Sequence, residues 1–273
     1  MTQVSQAPES QAPERTRAQI PDRTLRKDNW RRAPIITATL LTIWVAYATV
    51  RVFMGHWYWV PQYHYLTPFY SPCVSGECVA GSSSMGTWIP AVPPIIPYAF
   101  VSLPFVLGFR LTCYYYRRAY YRAFWQAPTA CAVREPHATY SGETRFPLIM
   151  QNLHRYFFFM ALLISILNTY DLTQAFRGPD GNFGLGLGTL VIGVNVVFLW
   201  AYTLSCHSCR HITGGRLKNF SKHPARYWAW TQISKLNTRH MQLAWITLGT
   251  LMLTDLYIWL LAAHVFGDLR FYN

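Results

Sequence analysis

The chain has 273 residues, 52% of them hydrophobic, 16% aromatic and only 13% charged, against roughly a quarter charged in globular domains. That balance excludes an ordinary soluble domain and fits a polytopic membrane protein with short loops. The net charge of +13 would suit nucleic acid, but the basic residues alternate loop by loop, as in a membrane protein, and this argues against a nucleic-acid partner.

Residues 1–33 are polar, rich in Pro, Gln, Glu and Arg, and show no apolar periodicity. A cytoplasmic tail, partly disordered, is expected there. A span needs about 20 apolar residues, and such runs lie at 35–53, 95–113, 148–170, 185–206 and 241–265. The sequence thus predicts an all-α fold: a five-helix membrane domain over 34–267 and an outer tail at 268–273. The first run is too long, and follows too long a polar leader, to be a cleaved signal peptide. Lys and Arg number seven in the tail, five in 114–147 and seven in 207–239, against only Arg51, Arg177 and Arg270 on the other side. This split places the N-terminus in the cytoplasm and the C-terminus outside, in a multi-pass membrane protein.

After the first span an aromatic stretch opens a long outer loop rich in Pro, Gly and Ser. Cys73 and Cys78 lie close together in that loop, on the oxidising side, where a disulfide is expected. In the second span Pro104 is expected to kink the helix. Tyr114-Tyr115-Tyr116-Arg117-Arg118 then forms a collar at the inner face. The following loop should begin as a helical extension and break at Pro128 and Pro136. The third span starts after Pro147, with His154 and Arg155 in its first two turns. Gly184 and Gly188 look like a small-xxx-small helix-packing face opening the fourth span. Asp255 lies mid-membrane in the fifth span, where it should face the bundle interior and pair with Asn195 or a hydroxyl.

The fourth span ends in Cys206-His207-Ser208-Cys209-Arg210-His211. Alternating span direction brings His154, Cys206, Cys209 and His240 to one thin layer below the cytoplasmic surface. Cys206 and Cys209 are one helical turn apart, so both sulfurs can face one metal. Two thiolates and two imidazoles make the ligand set of a Rieske-type [2Fe-2S] centre, and they equally suit zinc. The usual Rieske spacing is absent, since these donors come from three helices. His207 and His211 are rival ligands. His154 and His240 are also candidate axial ligands of a haem b, whereas His56 and His264 lie too far out to join the layer. Arg155, Tyr156, Trp228, Trp230 and Arg239 surround the layer as an aromatic and basic collar, a candidate quinone headgroup site or an ordinary interface belt.

The five-span plan, the Ser71-Pro72-Cys73-Val74-Ser75-Gly76-Glu77-Cys78 loop and the Cys206–His211 turn together resemble the membrane anchor of actinobacterial succinate dehydrogenases, most closely the mycobacterial type 1 group. The resemblance runs from about residue 25 to the C-terminus. It implies a respiratory complex II in which a flavoprotein with FAD oxidises succinate and an iron–sulfur subunit carries the electrons onward. The anchor then delivers them to menaquinone or ubiquinone. It also implies a membrane-embedded Rieske-type centre, matching Cys206, Cys209, His154 and His240. Related five-helix anchors hold two b haems between four histidines at two depths, a pattern this chain lacks. The chain has no flavin fold or ferredoxin-type cysteine run, so it cannot oxidise succinate alone. The expected role is electron relay to quinone. The alternatives are a b-type cytochrome subunit and a zinc-stabilised scaffold or a transporter using Asp255.

Overall fold

The computed structural model describes residues 26–78, 81–84, 96–126, 129–134 and 148–273. The expected tail disorder at residues 1–25 and the expected breaks at Pro128 and Pro136 lie outside these residues. In chain order the helices are α1 Arg32–Met54, α2 Leu103–Thr112, α3 Tyr114–Tyr120, α4 His154–Gln174, α5 Leu187–Leu204, α6 His207–Gly214, α7 Pro224–Asn237 and α8 His240–Ala262. Two small antiparallel ribbons complete the fold, β1 Trp59–Val60 with β2 Tyr65–Leu66, and β3 Leu185–Gly186 with β4 Arg270–Tyr272.

Among the described residues, four helices are long and apolar enough to cross a membrane: α1, α4 with the turn before it, α5 and α8. The second expected span is divided. A 3₁₀ turn at Tyr98–Val101 leads into α2, which has only 10 residues. At about 1.5 Å per residue α2 covers roughly 15 Å, half of a hydrocarbon core. Pro104 does not kink this helix. It lies in the first turn of α2, where its missing N–H costs nothing. Cys113 then takes an extended conformation, φ −66° and ψ 132°, before the chain resumes as α3 and a π-helical turn at Tyr121–Trp125. A helical extension into the inner loop is therefore present.

The core is built by α5 packing on α8 and α4, and by α4 packing on α2. Helix α1 leaves Ile36, Leu40, Ile43, Val50 and Phe53 exposed, as expected of a face that meets lipid or another subunit. Its attachment is polar. Trp44 Nε1 donates to the Leu248 carbonyl at 3.2 Å. Arg51 holds Asp255 through Nε at 2.6 Å and Nη2 at 3.2 Å, with both side chains 0% exposed. Tyr47 donates to the same carboxylate at 2.6 Å. Asp255 therefore takes the expected hydroxyl, that of Tyr47, and pairs besides with Arg51, whereas Asn195 accepts from Thr250. Burial makes a full opposite charge a far better partner than an amide.

At the outer face Cys73 and Cys78 form a disulfide with Cα atoms 6.3 Å apart. Asp268 accepts from Tyr65, Tyr257 and the Gly188 amide, and so neutralises the start of α5. Gly188 is packed under the Tyr65 ring, and Gly184 lies in the loop before β3 beside Arg270. The pair thus makes room for a loop ring and a loop backbone, and does not form a helix–helix face.

Candidate metal centre

Two helix breaks and two helix starts meet at one end of the bundle. Cys206 is the N-cap of α6, with φ −65° and ψ 143°, and Cys113 is the matching extended residue between α2 and α3. His154 and His240 are the first residues of α4 and α8. Cys113, His154, Cys206 and His240 all line one cavity of about 240 Å³, which His207 also borders. Cys113, Cys206 and His240 are buried, at 2%, 1% and 1% exposure.

Each imidazole has a hydroxyl behind it. Thr112 Oγ1 lies 2.6 Å from the Gly108 carbonyl and 2.8 Å from His154 Nδ1. In the same way Ser205 Oγ lies 2.8 Å from the Tyr202 carbonyl and 2.6 Å from His240 Nδ1. With each hydroxyl donating to its carbonyl, Nδ1 carries the ring proton and Nε2 keeps its lone pair. His154 Nε2 lies 3.1 Å from Cys206 Sγ, and His240 Nε2 lies 3.5 Å from Cys113 Sγ. Each ring is clamped on one face as well. Phe109 stacks on His154 at 4.9 Å and 5°, and Tyr202 stacks on His240 at 5.1 Å and 12°. A hydroxyl behind and an aromatic ring beside each imidazole is the kind of support that orients a metal ligand. The positive ends of α4, α6 and α8 converge here too, which favours anionic sulfur.

The chain keeps three of the four sequence-derived donors together and substitutes the fourth. Cys206, His154 and His240 share the cavity wall, and Cys209 is not part of it. Cys206 caps α6 in an extended conformation, and Cys209, buried three residues on in the first turn of α6, does not border the cavity. Cys113 does. Of the rivals, His207 borders the cavity, whereas His211 is engaged by Arg155. Among the described residues no three His, Cys, Asp or Glu side chains close on a single ion position. The donors stand as two nitrogen–sulfur pairs instead.

The collar residues do not line this cavity. Tyr156 and Trp228 are 69% and 67% exposed. Trp230 packs under Arg210, whose guanidinium lies 4.9 Å from its ring centre. Arg239 precedes α8. A larger cavity of about 570 Å³ lies across Tyr115, lined by Trp30, Arg122, Met241 and Trp245 among others. Tyr115 lines both cavities, and its ring centre is 5.6 Å from that of His240.

The family model for the actinobacterial succinate dehydrogenase subunit SdhC matches residues 32–264. Among solved structures, a chain of the Mycobacterium smegmatis Sdh1 complex in the apo form is 65% identical. It aligns over 95% of this chain and 98% of that chain with a TM-score of 0.88. No curated protein matches significantly. The chain belongs to the actinobacterial succinate dehydrogenase SdhC family, and is a membrane subunit of that enzyme.

Proposed function

We propose that this chain is the electron-passing anchor of a succinate:quinone oxidoreductase, and that Cys113, Cys206, His154 and His240 hold a Rieske-type [2Fe-2S] centre. The observation that carries this reading is the pair of histidines, each with Nδ1 on a hydroxyl and Nε2 beside a buried thiol in one cavity. Two thiols and two imidazoles are the donor set of such a cluster, in which one iron takes the thiolates and the other the imidazoles. When bound, the centre would accept and release one electron at a time, at a potential raised by its imidazole ligands. The residues of this chain do the rest. Thr112 and Ser205 hold the tautomers, Phe109 and Tyr202 fix the ring planes, and the apolar wall excludes water.

In this reading the electrons come from a flavoprotein and an iron–sulfur subunit docked at the inner face. The basic α6–α7 hairpin supplies the charge for docking an acidic partner surface or anionic lipid. The loop-by-loop Lys and Arg split supports an inner N-terminus and an outer C-terminus. The electron acceptor is menaquinone or ubiquinone. The cavity beyond Tyr115 is better shaped for its headgroup than the exposed collar of Arg155, Tyr156, Trp228, Trp230 and Arg239, because it is concave, aromatic and one ring from His240.

The test is metal content and electron paramagnetic resonance of the dithionite-reduced, purified complex, with Cys113→Ala, Cys206→Ala and Cys209→Ala compared. The first two variants should lose the Rieske-like signal and two irons per complex. Cys209→Ala should keep both. Dye-linked succinate oxidation should survive in all three, as the check on assembly. A signal retained in Cys113→Ala would return the second sulfur to Cys209. Stoichiometric zinc with no signal in the native complex would remove electron transfer from the account.

A further inference from the structure

Two arginines are buried in this bundle, and they are treated differently. Arg51 is answered by the Asp255 carboxylate. Arg110, 4% exposed, has no carboxylate partner among the described residues. Its Nη1 donates to the Tyr116 hydroxyl at 2.6 Å and the Thr247 hydroxyl at 3.4 Å, both neutral, and its Nη2 has no partner. A lone cation at that depth is expensive and marks function by default.

Its surroundings say what it answers. The guanidinium carbon lies 5.1 Å from the Tyr202 ring centre. The other ring contact of Tyr202 that matters is the stack on His240, at 5.1 Å and 12°. Arg110 and His240 thus both lie against the Tyr202 ring. Cys113 follows Arg110 by three residues, and its amide donates to the Arg110 carbonyl at 3.1 Å. A [2Fe-2S]²⁺ core with two thiolates and two neutral imidazoles carries no net charge, and it becomes −1 when one electron arrives. A fixed positive charge nearby, in a low-dielectric interior, stabilises the −1 state.

We propose that Arg110 is the built-in counter-charge of the Cys113–Cys206–His154–His240 site, a positioning residue that raises the readiness of the centre to accept an electron. This rests on the Rieske-type reading above. The step it governs is a single electron passing from the partner's reduced iron–sulfur cluster to the centre and onward to quinone, with no bond made or broken. Arg110 acts through space and through Tyr202, and it does not touch the metal.

The experiment is a redox titration of the Rieske-like signal in the whole purified complex. Four forms are compared: native, Arg110→Gln, Arg110→Lys and Thr247→Asp. The Thr247 hydroxyl lies 3.4 Å from Arg110 Nη1. An aspartate there answers the charge while leaving Arg110 in place, so it carries the test if Arg110→Gln does not assemble. Arg110→Gln and Thr247→Asp should both titrate at lower potential than native, and Arg110→Lys should stay near native. A midpoint common to native, Arg110→Gln and Thr247→Asp would overturn the role of Arg110 and leave the centre standing. An equal drop in Arg110→Lys and Arg110→Gln would do the same, by tying the effect to packing. A native complex without the signal would instead sink the centre itself, and this role with it.

Discussion

Replacing Asp255 with Leu should loosen α1 from the bundle, and the structure sets the size of the effect. The substitution removes contacts of 2.6 and 3.2 Å from Arg51 and one of 2.6 Å from Tyr47, all inside the protein. What remains is a guanidinium at 0% exposure whose other polar contacts are the sulfur of Met54 and two backbone carbonyls. Stranding one partner of a buried ion pair costs about 3–5 kcal/mol, whereas removing both charges is often neutral. At 2–4 °C per kcal/mol for a domain of this size, that is roughly 6–20 °C in apparent Tm. The assay is thermal unfolding of the detergent-solubilised complex, followed by tryptophan fluorescence, for Asp255→Leu, Arg51→Met and the double variant. Each single variant should fall by that amount, and the double should recover most of the loss, giving a strong coupling term in the cycle. A single variant within about 2 °C of native, or a double no better than the singles, would refute the idea that this pair is what anchors α1.

Other outcomes follow from the same contacts. Ser205→Ala and Thr112→Val each remove the hydroxyl that receives Nδ1–H, and should weaken metal retention by about 10–100-fold, read as iron lost during chelator dialysis. Gly188→Ala drives a methyl into the Tyr65 ring and should cost about 1–3 kcal/mol, seen as a lower Tm of the complex. Opening the Cys73–Cys78 loop with Cys73→Ser and Cys78→Ser together should cost about 2 kcal/mol by loop-entropy arithmetic, with the midpoint of the metal signal unchanged.

Much of the architecture was readable in advance because lipid imposes a simple rule on sequence. Spans at 35–53, 148–170, 185–206 and 241–265 correspond to α1, α4, α5 and α8 to within a few residues. His154, Cys206 and His240 could be brought together from depth alone, since alternating spans put their inner ends in one layer. The same rule pointed to Cys113, at the inner end of the 95–113 run, and it went unread because a nearer pair of thiols stood in the Cys206–His211 turn. The break between α5 and α6 at Ser205 and Cys206 leaves Cys206 on the cavity wall and Cys209 off it.

The sequence by itself determined a helical membrane subunit, the leaflet in which thiols and imidazoles gather, and the outer disulfide, because hydropathy, charge and cysteine spacing act locally along the chain. Only tertiary structure decided which sulfur faces which ring, that Asp255 answers Arg51 across 204 positions, and that no acid among the described residues answers Arg110. Those choices depend on the rotation of each helix about its axis and on where each helix breaks. Both are set by packing against neighbours that are distant in sequence.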